Sequence, residues 1–213
     1  MGNSVSVVMS TYERNDILFS RSLPSVLGQT RQDLIESIHI VSDGMRGDSL
    51  DELMRRGHGL DRRIHVWLIP RQSYPEDPRA RWSVLGLNAR NHALDQAQGD
   101  WIAPLDDDDE WTPDHLEVLL KHQEETGVDF VYGISEYHWP DKRKQMAGTW
   151  PPGVGAFCDG AQVYRNGMGY RYDPKCLDRG LPEDGDMWER MVSGGVTFSF
   201  LKKLVHHYWV NPR

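Results

Sequence analysis

The hydrophobic residues in the first half of the chain form short, dense runs, separated by longer stretches with wider apolar spacing. The runs are rich in β-branched residues and predict four strands, at "SVSVVMS" (4–10), "SIHIVSD" (37–43), "RIHVWLI" (63–69) and "DWIAPLD" (100–106). The stretches between them predict helices around Leu18 to Leu27, around Leu50 to Met54 and from Val84 to Ala97. This alternation is typical of an α/β domain with a mainly parallel sheet.

The clearest helix is predicted over 112–127, "TPDHLEVLLKHQEETG", which has a cap residue, an early Pro, regular apolar spacing and a closing Gly. Beyond it, "VDFVYGISEYHW" predicts two consecutive strands, followed by an irregular region to about residue 182. A helix over 183–193 and a strand near 196–200 complete the prediction. The segment "VHHYWVNPR" is left as a C-terminal tail.

The length, charge and cysteine content narrow the class of protein. A chain of 213 residues fits one domain, and its net charge of -8 argues against general affinity for nucleic acid or anionic membranes. The two cysteines, Cys158 and Cys176, fit neither a disulfide framework nor a zinc knuckle, which predicts free thiols. Neither a secretory signal nor a run of about 18 apolar residues is visible, so we expect a cytoplasmic protein without a transmembrane segment.

The densest charge lies in "LDDDDEW" (105–111), directly after the fourth predicted strand. Adjacent ionised carboxylates repel one another unless a cation or solvent offsets their charge. Ligands of parallel sheets bind at this edge, and carboxylates hold Mg²⁺ or Mn²⁺ together with phosphate oxygens. Asp106 and Asp108 therefore predict a cation site. The alternative is a solvated acidic loop facing the next helix N-terminus.

A second acidic cluster, "LPEDGDMWERM" (181–191), opens a predicted helix. Glu183, Asp184 and Asp186 are candidates for a general base at the helix entrance. They are equally typical of first-turn acids that complement the helix dipole, and these residues alone favour that second interpretation.

The order of the motifs adds a family resemblance. "VSVVMSTYERND", "SVLGQT", "IHIVSDG", "NARNHALDQAQGDWIAPLDDDDEWTPDHL" and "PEDGDMWERM" together resemble the family 2 glycosyltransferases of the GT-A fold, over about residues 4 to 200. The resemblance implies a Rossmann-like, mostly parallel central sheet flanked by helices, with a smaller mixed acceptor-side region. It implies one domain, 1–213, with a nucleotide-sugar-binding half at 1–111 and an acceptor-side half with the C-terminal tail at 112–213.

The same resemblance implies an activity: inverting transfer of a sugar from a nucleotide-diphosphate-sugar donor to an acceptor hydroxyl, in glycan or polysaccharide synthesis. A UDP-sugar is the first candidate donor, and Mn²⁺ or Mg²⁺ the expected cofactor. Thr11 and Tyr12 would contact the nucleoside, and Asp43 would accept a hydrogen bond from the base. The family's usual Asp-Asp pair is Ser42-Asp43 here. Arg81 and Arg90 would approach the base or the diphosphate.

By resemblance, Asp106 and Asp108 form the family's Asp-x-Asp motif, with Asp108 as a direct metal ligand. The metal would stabilise the departing nucleoside diphosphate as a Lewis acid. Asp107 and Asp109 would contact the donor sugar or the groups around the metal. Asp184 aligns with the catalytic base, which deprotonates the acceptor hydroxyl.

Several assignments stay open at this level. Asp186 is an alternative base, and Cys158 and Asp159 would border the acceptor pocket, although core packing explains Cys158 equally well. His206 or His207 would be a third metal contact or part of an aromatic packing cluster. The acceptor and a possible homodimer are not specified by any motif.

Three other functions compete with glycosyl transfer. A nucleotidyltransferase would usually carry a Gly-rich basic loop after its first strand, and "STYERND" has no glycine. A non-catalytic sugar-nucleotide-binding protein would bind donor without turnover. A glycoside hydrolase would use two carboxylates without needing a cation-binding run.

Overall fold

The computed structural model describes residues 2–210. Within them, one nine-stranded sheet carries helices on both faces. The strands are β1 (Val5–Thr11), β2 (Ile35–Asp43), β3 (Ile64–Ile69), β4 (Trp101–Pro104), β5 (Glu110–Trp111), β6 (Phe130–His138), β7 (Lys144–Ala147), β8 (Gln162–Arg165) and β9 (Phe198–Trp209). The helices are α1 (Asn15–Ile17), α2 (Leu23–Leu27), α3 (Gly47–Leu60), α4 (Pro78–Trp82), α5 (Leu87–Gln96), α6 (His115–Thr126) and α7 (Glu183–Ser193). Shorter turns are a π-helical turn at Leu18–Ser22 and 3₁₀ turns at Gln32–Leu34, Asp159–Ala161 and Pro174–Cys176.

The sheet has the strand order β3-β2-β1-β4-β8-β6-β9-β5, with β7 paired to β6. The first four strands in this order are parallel, and the second half mixes parallel and antiparallel pairs. This arrangement confirms the predicted parallel sheet with a smaller mixed region. The carboxyl ends of β1, β2 and β4 consequently meet at one edge, where α/β sheets bind ligands.

Alternating side chains of the central strands supply two hydrophobic cores. On β1, Val5, Val7 and Met9 pack into one core with α2 and α6, whereas Val8 faces the other core with α5 and α7. Full burial of an aliphatic side chain of this size contributes about 1.5–3 kcal/mol. The two cores fix the sheet between its helices and so hold its carboxyl edge in place.

The predicted helix over 84–97 begins later than its apolar pattern indicates. Gly86 has φ 75°, and a Cβ there would lie 2.8 Å from Oγ of Ser10, so α5 begins only at Leu87. The helix predicted from residue 112 likewise begins at His115. Thr112, the predicted first residue, lies before the helix, and its amide donates to the carbonyl of Val205 in β9.

Two predictions in the second half were wrong. "VDFVYGISEYHW" forms one strand, β6, because Gly133 lets β9 approach so closely that a Cβ would lie 2.6 Å from Val205. The predicted tail belongs to β9 as far as Trp209, where β6 pairs along one side of the strand and β5 along the other. Residues 211–213 lie outside the described part of the chain. None of the helices described has the length and apolar character required to cross a bilayer.

Candidate active site

A cavity of about 570 Å³ opens at the carboxyl edge of the parallel strands, a volume typical of small-molecule sites. Its walls come from the ends of β1, β2 and β4, from α5, and from the start of α7. The residues predicted from the sequence that line it are Thr11, Tyr12, Asp43, Arg90, Asp106, Asp107, Asp108, Asp109, Cys158, Asp159, Glu183 and Asp184. The fold therefore gathers positions spread over more than 170 residues around one space.

The acidic run folds into a tight turn after β4. The amide of Asp109 donates to the carbonyl of Asp106 at 3.3 Å, and oxygens of Asp106, Asp108 and Asp109 lie within 4.8 Å of one another. Asp107 lies apart from this group, and its carboxylate is 3.2 Å from the guanidinium of Arg14, which also pairs with Asp108. Three carboxylates at this spacing form an all-oxygen set of the kind that Mg²⁺ and Mn²⁺ prefer.

The charge of the run is only partly compensated by protein groups. Burial and the neighbouring Asp108 raise the pKa of Asp107 to about 7, and burial and Asp106 raise the pKa of Asp109 well above its ordinary value. Desolvation also acts on Asp106, but the adjacent Arg90 outweighs it and lowers the pKa of Asp106. A divalent cation beside this turn would offset the repulsion between neighbouring carboxylates that contributes to both upward shifts.

Arg90 lies in the wall of the cavity and joins three segments of the chain. Its guanidinium Nη2 is 2.5 Å from Asp106, Nη1 binds Glu183, and Nε is 3.9 Å from Asp159. Its side chain is only 11% exposed. Burial would lower the pKa of Arg90, but the three carboxylates raise it well above its ordinary value. Arg90 thus binds protein carboxylates, which the sequence prediction of a base or diphosphate contact did not anticipate.

The first turn of α7 separates two acids that the sequence left as alternatives. Asp184 is half-buried and lines the cavity, where one of its carboxylate oxygens accepts the Gly185 amide at 2.6 Å. Asp186 is 1% exposed, does not line the cavity, and forms ion pairs with Arg179 and Arg190. Burial raises the pKa of Asp184, although Arg90 opposes the shift.

Another part of the cavity wall contains aromatic and basic side chains. The guanidinium carbon of Arg71 is 3.4 Å from the ring centroid of Tyr12, and Nη1 of Arg71 donates to the buried carboxylate of Asp43 at 2.9 Å. The Gln72 amide and the Tyr74 hydroxyl also donate to Asp43. Sequence reasoning missed this segment, 71–74. The position of this segment could have indicated it, because "RQSY" follows β3 at the same edge of the sheet as the other site residues.

Arg81 does not lie where the sequence prediction placed it. It is exposed, does not line the cavity, and its Nε donates to the carbonyl of Pro75 at 3.0 Å. Arg79 and Trp82 of the same short helix face the cavity. Because α4 has only five residues, the sequence carries too little periodicity to reveal which side faces the site.

The two candidate histidines of β9 point to opposite sides of the sheet, as alternation requires. His206 is fully buried, with Nε2 3.3 Å from Asp109, and burial lowers its pKa to about 4. His207 lies beside Glu136 instead. Both predicted thiols are free and buried, and Cys158 donates to the Tyr137 hydroxyl in the cavity wall.

Comparison with known proteins identifies the family of this chain. The family described as "Glycosyl transferase family 2" matches residues 82–177. An uncharacterized glycosyltransferase of Methanocaldococcus jannaschii, MJ1057, is 31% identical over 98% of this chain and 71% of its own length. The chain belongs to glycosyltransferase family 2.

Two other relatives are much longer than this chain. TuaG of Bacillus subtilis, named for teichuronic acid biosynthesis, is 30% identical over 60% of this chain and 45% of its own length. A Campylobacter jejuni GalNAc(5)-diNAcBac-PP-undecaprenol beta-1,3-glucosyltransferase is 30% identical over 61% and 37%. The chain therefore spans less than half the length of these two relatives.

The crystal structure of S. aureus TarS 1-349 in complex with UDP superposes with a TM-score of 0.71, at 16% identity, over 98% of this chain and 61% of that one. This likeness confirms the GT-A fold predicted for this family 2 chain. The family match itself contains Arg90, the acidic run and Asp159, whereas Asp43 and Asp184 lie outside it.

Proposed function

We propose that this protein is an inverting, metal-dependent glycosyltransferase that moves a sugar from a nucleotide-diphosphate-sugar to an acceptor hydroxyl in polysaccharide synthesis. One observation carries the proposal: a three-carboxylate cluster and the separate carboxylate of Asp184 line a single cavity. UDP-sugars are the first candidate donors, because TarS structures of similar fold are complexes with UDP and with UDP-GlcNAc. The polysaccharide context rests on the name of TuaG.

In this proposal Asp106 and Asp108 hold Mn²⁺ or Mg²⁺, with Asp109 at the same cluster. The ion supplies Lewis acidity at the departing diphosphate. Tyr12 and Asp43 also line the cavity and would receive the nucleoside. Along the carboxyl edge the strands follow in the order β2, β1, β4, so Asp43 at the end of β2 and Tyr12 after β1 come before the acidic run after β4, as the nucleoside comes before the diphosphate in such a donor.

Asp184 is the proposed base. Its carboxylate takes the proton from the acceptor hydroxyl while that oxygen attacks the anomeric carbon on the side opposite the leaving diphosphate. One displacement of this kind inverts the configuration. The upward pKa shift suits the role, because a carboxylate with a higher pKa accepts a proton more readily.

Nucleotide binding should depend on the metal. We expect UDP to bind more tightly than GDP, CDP or dTDP in calorimetric titrations, and only with Mn²⁺ present. Asp108→Asn should weaken Mn²⁺-dependent binding at least about 100-fold, because changing groups merely adjacent to a metal ligand already costs 10–100-fold. Asp141→Asn changes an aspartate that is 62% exposed and serves as the control. Unchanged binding by Asp108→Asn would contradict the proposed metal site.

The transfer rate should fall on the acid side at a pH above the ordinary range for an aspartate. The base acts only when ionised, so activity is complete above its raised pKa and is lost as the pH falls through it. The measurement is kcat/KM against pH, following nucleotide release from the donor. A profile that stays flat down to the ordinary aspartate pKa of about 3.9 would argue against Asp184.

Four expectations from the sequence stay predictions: an acceptor with a hydroxyl group, a possible homodimer, a cytoplasmic location and weak affinity for nucleic acid.

A further inference from the structure

A second group of metal-binding side chains lies outside the cavity, where β6 pairs with β9. Glu136 and His138 of β6 and His207 of β9 form it. Tyr137 and Tyr208, their neighbours along the strands, line the cavity. Since side chains alternate along a strand, the group lies on the opposite face of the sheet. None of its members belongs to the acidic cluster.

The three ligand atoms form a nearly equilateral triangle. Nε2 of His138 is 3.0 Å from Oε1 of Glu136 and 3.0 Å from Nδ1 of His207. Nδ1 of His207 is 3.5 Å from the same Oε1. Neighbouring ligands of a tetrahedral Zn²⁺ lie about 3.3 Å apart, given Zn–N and Zn–O bonds of roughly 2.0–2.2 Å. An ion would therefore fit this triangle with little movement of the side chains.

We propose that Glu136, His138 and His207 bind a divalent transition-metal ion, with Zn²⁺ as the first candidate. Imidazole nitrogen favours Zn²⁺ and its neighbours in the transition series, whereas the carboxylates of the acidic cluster favour Mg²⁺ and Mn²⁺. The chain thus has two sites of different ligand chemistry on opposite faces of one sheet. A water molecule would complete a tetrahedron at the second site.

The surrounding charges suit a cation. Neutral imidazole nitrogen is the coordinating form of histidine, and Glu136 supplies negative charge within the group. Glu110, paired with His207 across β5 and β9, adds negative charge nearby. Lys144 donates to Glu136 at 2.9 Å and opposes the ion, but its side chain is 59% exposed and free to turn into solvent.

A bound ion would join β6 to β9 directly behind Tyr137 and Tyr208. These tyrosines have ring centroids 4.7 Å apart in the cavity wall. The second site would therefore hold together one wall of the cavity from the opposite face of the sheet.

Cobalt spectroscopy tests the proposal, because four-coordinate Co²⁺ with nitrogen ligands absorbs visible light strongly and six-coordinate oxygen-bound Co²⁺ weakly. The tag-free protein is titrated with Co²⁺ in excess Mg²⁺, which occupies the acidic cluster. We expect strong absorption that saturates at one Co²⁺ per chain and that Zn²⁺ abolishes. His138→Gln and Glu136→Gln should each weaken Co²⁺ binding at least about 100-fold.

Two control variants separate this site from other metal binding. His58→Gln removes an exposed histidine of α3, and Asp108→Asn alters the acidic cluster; neither should change the absorption. Loss of the band in Asp108→Asn, its survival in both His138→Gln and Glu136→Gln, or only weak absorption by the wild type would overturn the proposal. Circular dichroism checks folding, and if His138→Gln does not fold, Glu136→Gln decides. Because Asp108→Asn tests the proposed donor site separately, either site can fail alone.

Discussion

Replacing Asp184 by Asn is expected to lower kcat for sugar transfer by about 10²–10⁴-fold, the range that a positioned general base contributes. The Asn side chain has the same size and keeps an oxygen that can accept the hydrogen bond from the Gly185 amide, but it cannot act as a base. Nucleotide affinity should stay near that of the wild type, because the acidic cluster is unchanged. The measurement is nucleotide release from UDP-sugars in steady state, together with calorimetric binding of UDP and Mn²⁺.

Two further variants are controls for Asp184→Asn. Asp178→Asn removes an exposed carboxylate from the preceding loop and should leave turnover intact. Asp186→Asn should lower stability rather than chemistry, because Asp186 binds Arg179 and Arg190 away from the cavity. Full turnover by Asp184→Asn would show that the base is a different group.

Replacing Arg90 by Met is expected to lower the free energy of unfolding by about 3–5 kcal/mol, the cost of removing one partner from a buried ion pair. Met fills much of the volume but leaves Asp106, Asp159 and Glu183 without their common cation. Urea denaturation at neutral pH measures the loss. Arg171→Met removes an arginine that is 46% exposed and pairs with Asp95, and it should cost about 0–1 kcal/mol.

The loss in Arg90→Met should also depend on pH. Arg90 opposes the upward pKa shifts of Asp159 and Glu183, so both pKa values rise further without it. Carboxyls with raised pKa values destabilise the fold when they must ionise, and this cost disappears once they are protonated. The deficit should therefore shrink as the pH falls from 8 towards 5. A deficit as small as that of Arg171→Met would mean that the three carboxylates do not need this cation.

The sequence predicted those parts of the fold whose signals are local. The strands β1 to β4 and helix α7 were predicted from runs and caps, and the structure confirms them with shifts of a few residues. The start of α5 was missed because it depends on Gly86, which has a left-handed conformation and packs closely against Ser10, a residue 76 positions away. The length of β9 was missed because its pairing with β5 and β6 is non-local.

The functional site also has parts that the sequence predicted and parts that it did not. The motif order assigned Asp106, Asp108 and Asp184 to one reaction, and the structure places all three in the wall of one cavity. Contacts that depend on three-dimensional packing were not predictable, such as Arg71 against Tyr12 or Arg90 among three carboxylates. The sequence left Asp184 and Asp186 as alternative bases. The helix turns by about 200° between them, so Asp184 faces the cavity and Asp186 does not.

The single guanidinium shared by Asp106, Asp159 and Glu183 limits how this chain can diverge. Each acid comes from a different part of the fold, yet a neutral replacement at any one removes a charge that acts on Arg90 and on the other acids, and so changes the ionisation of those that stay. Substitutions at these positions should therefore show strong epistasis, with combined effects that depart from the sum. Over evolutionary time the four residues would drift as a set rather than singly.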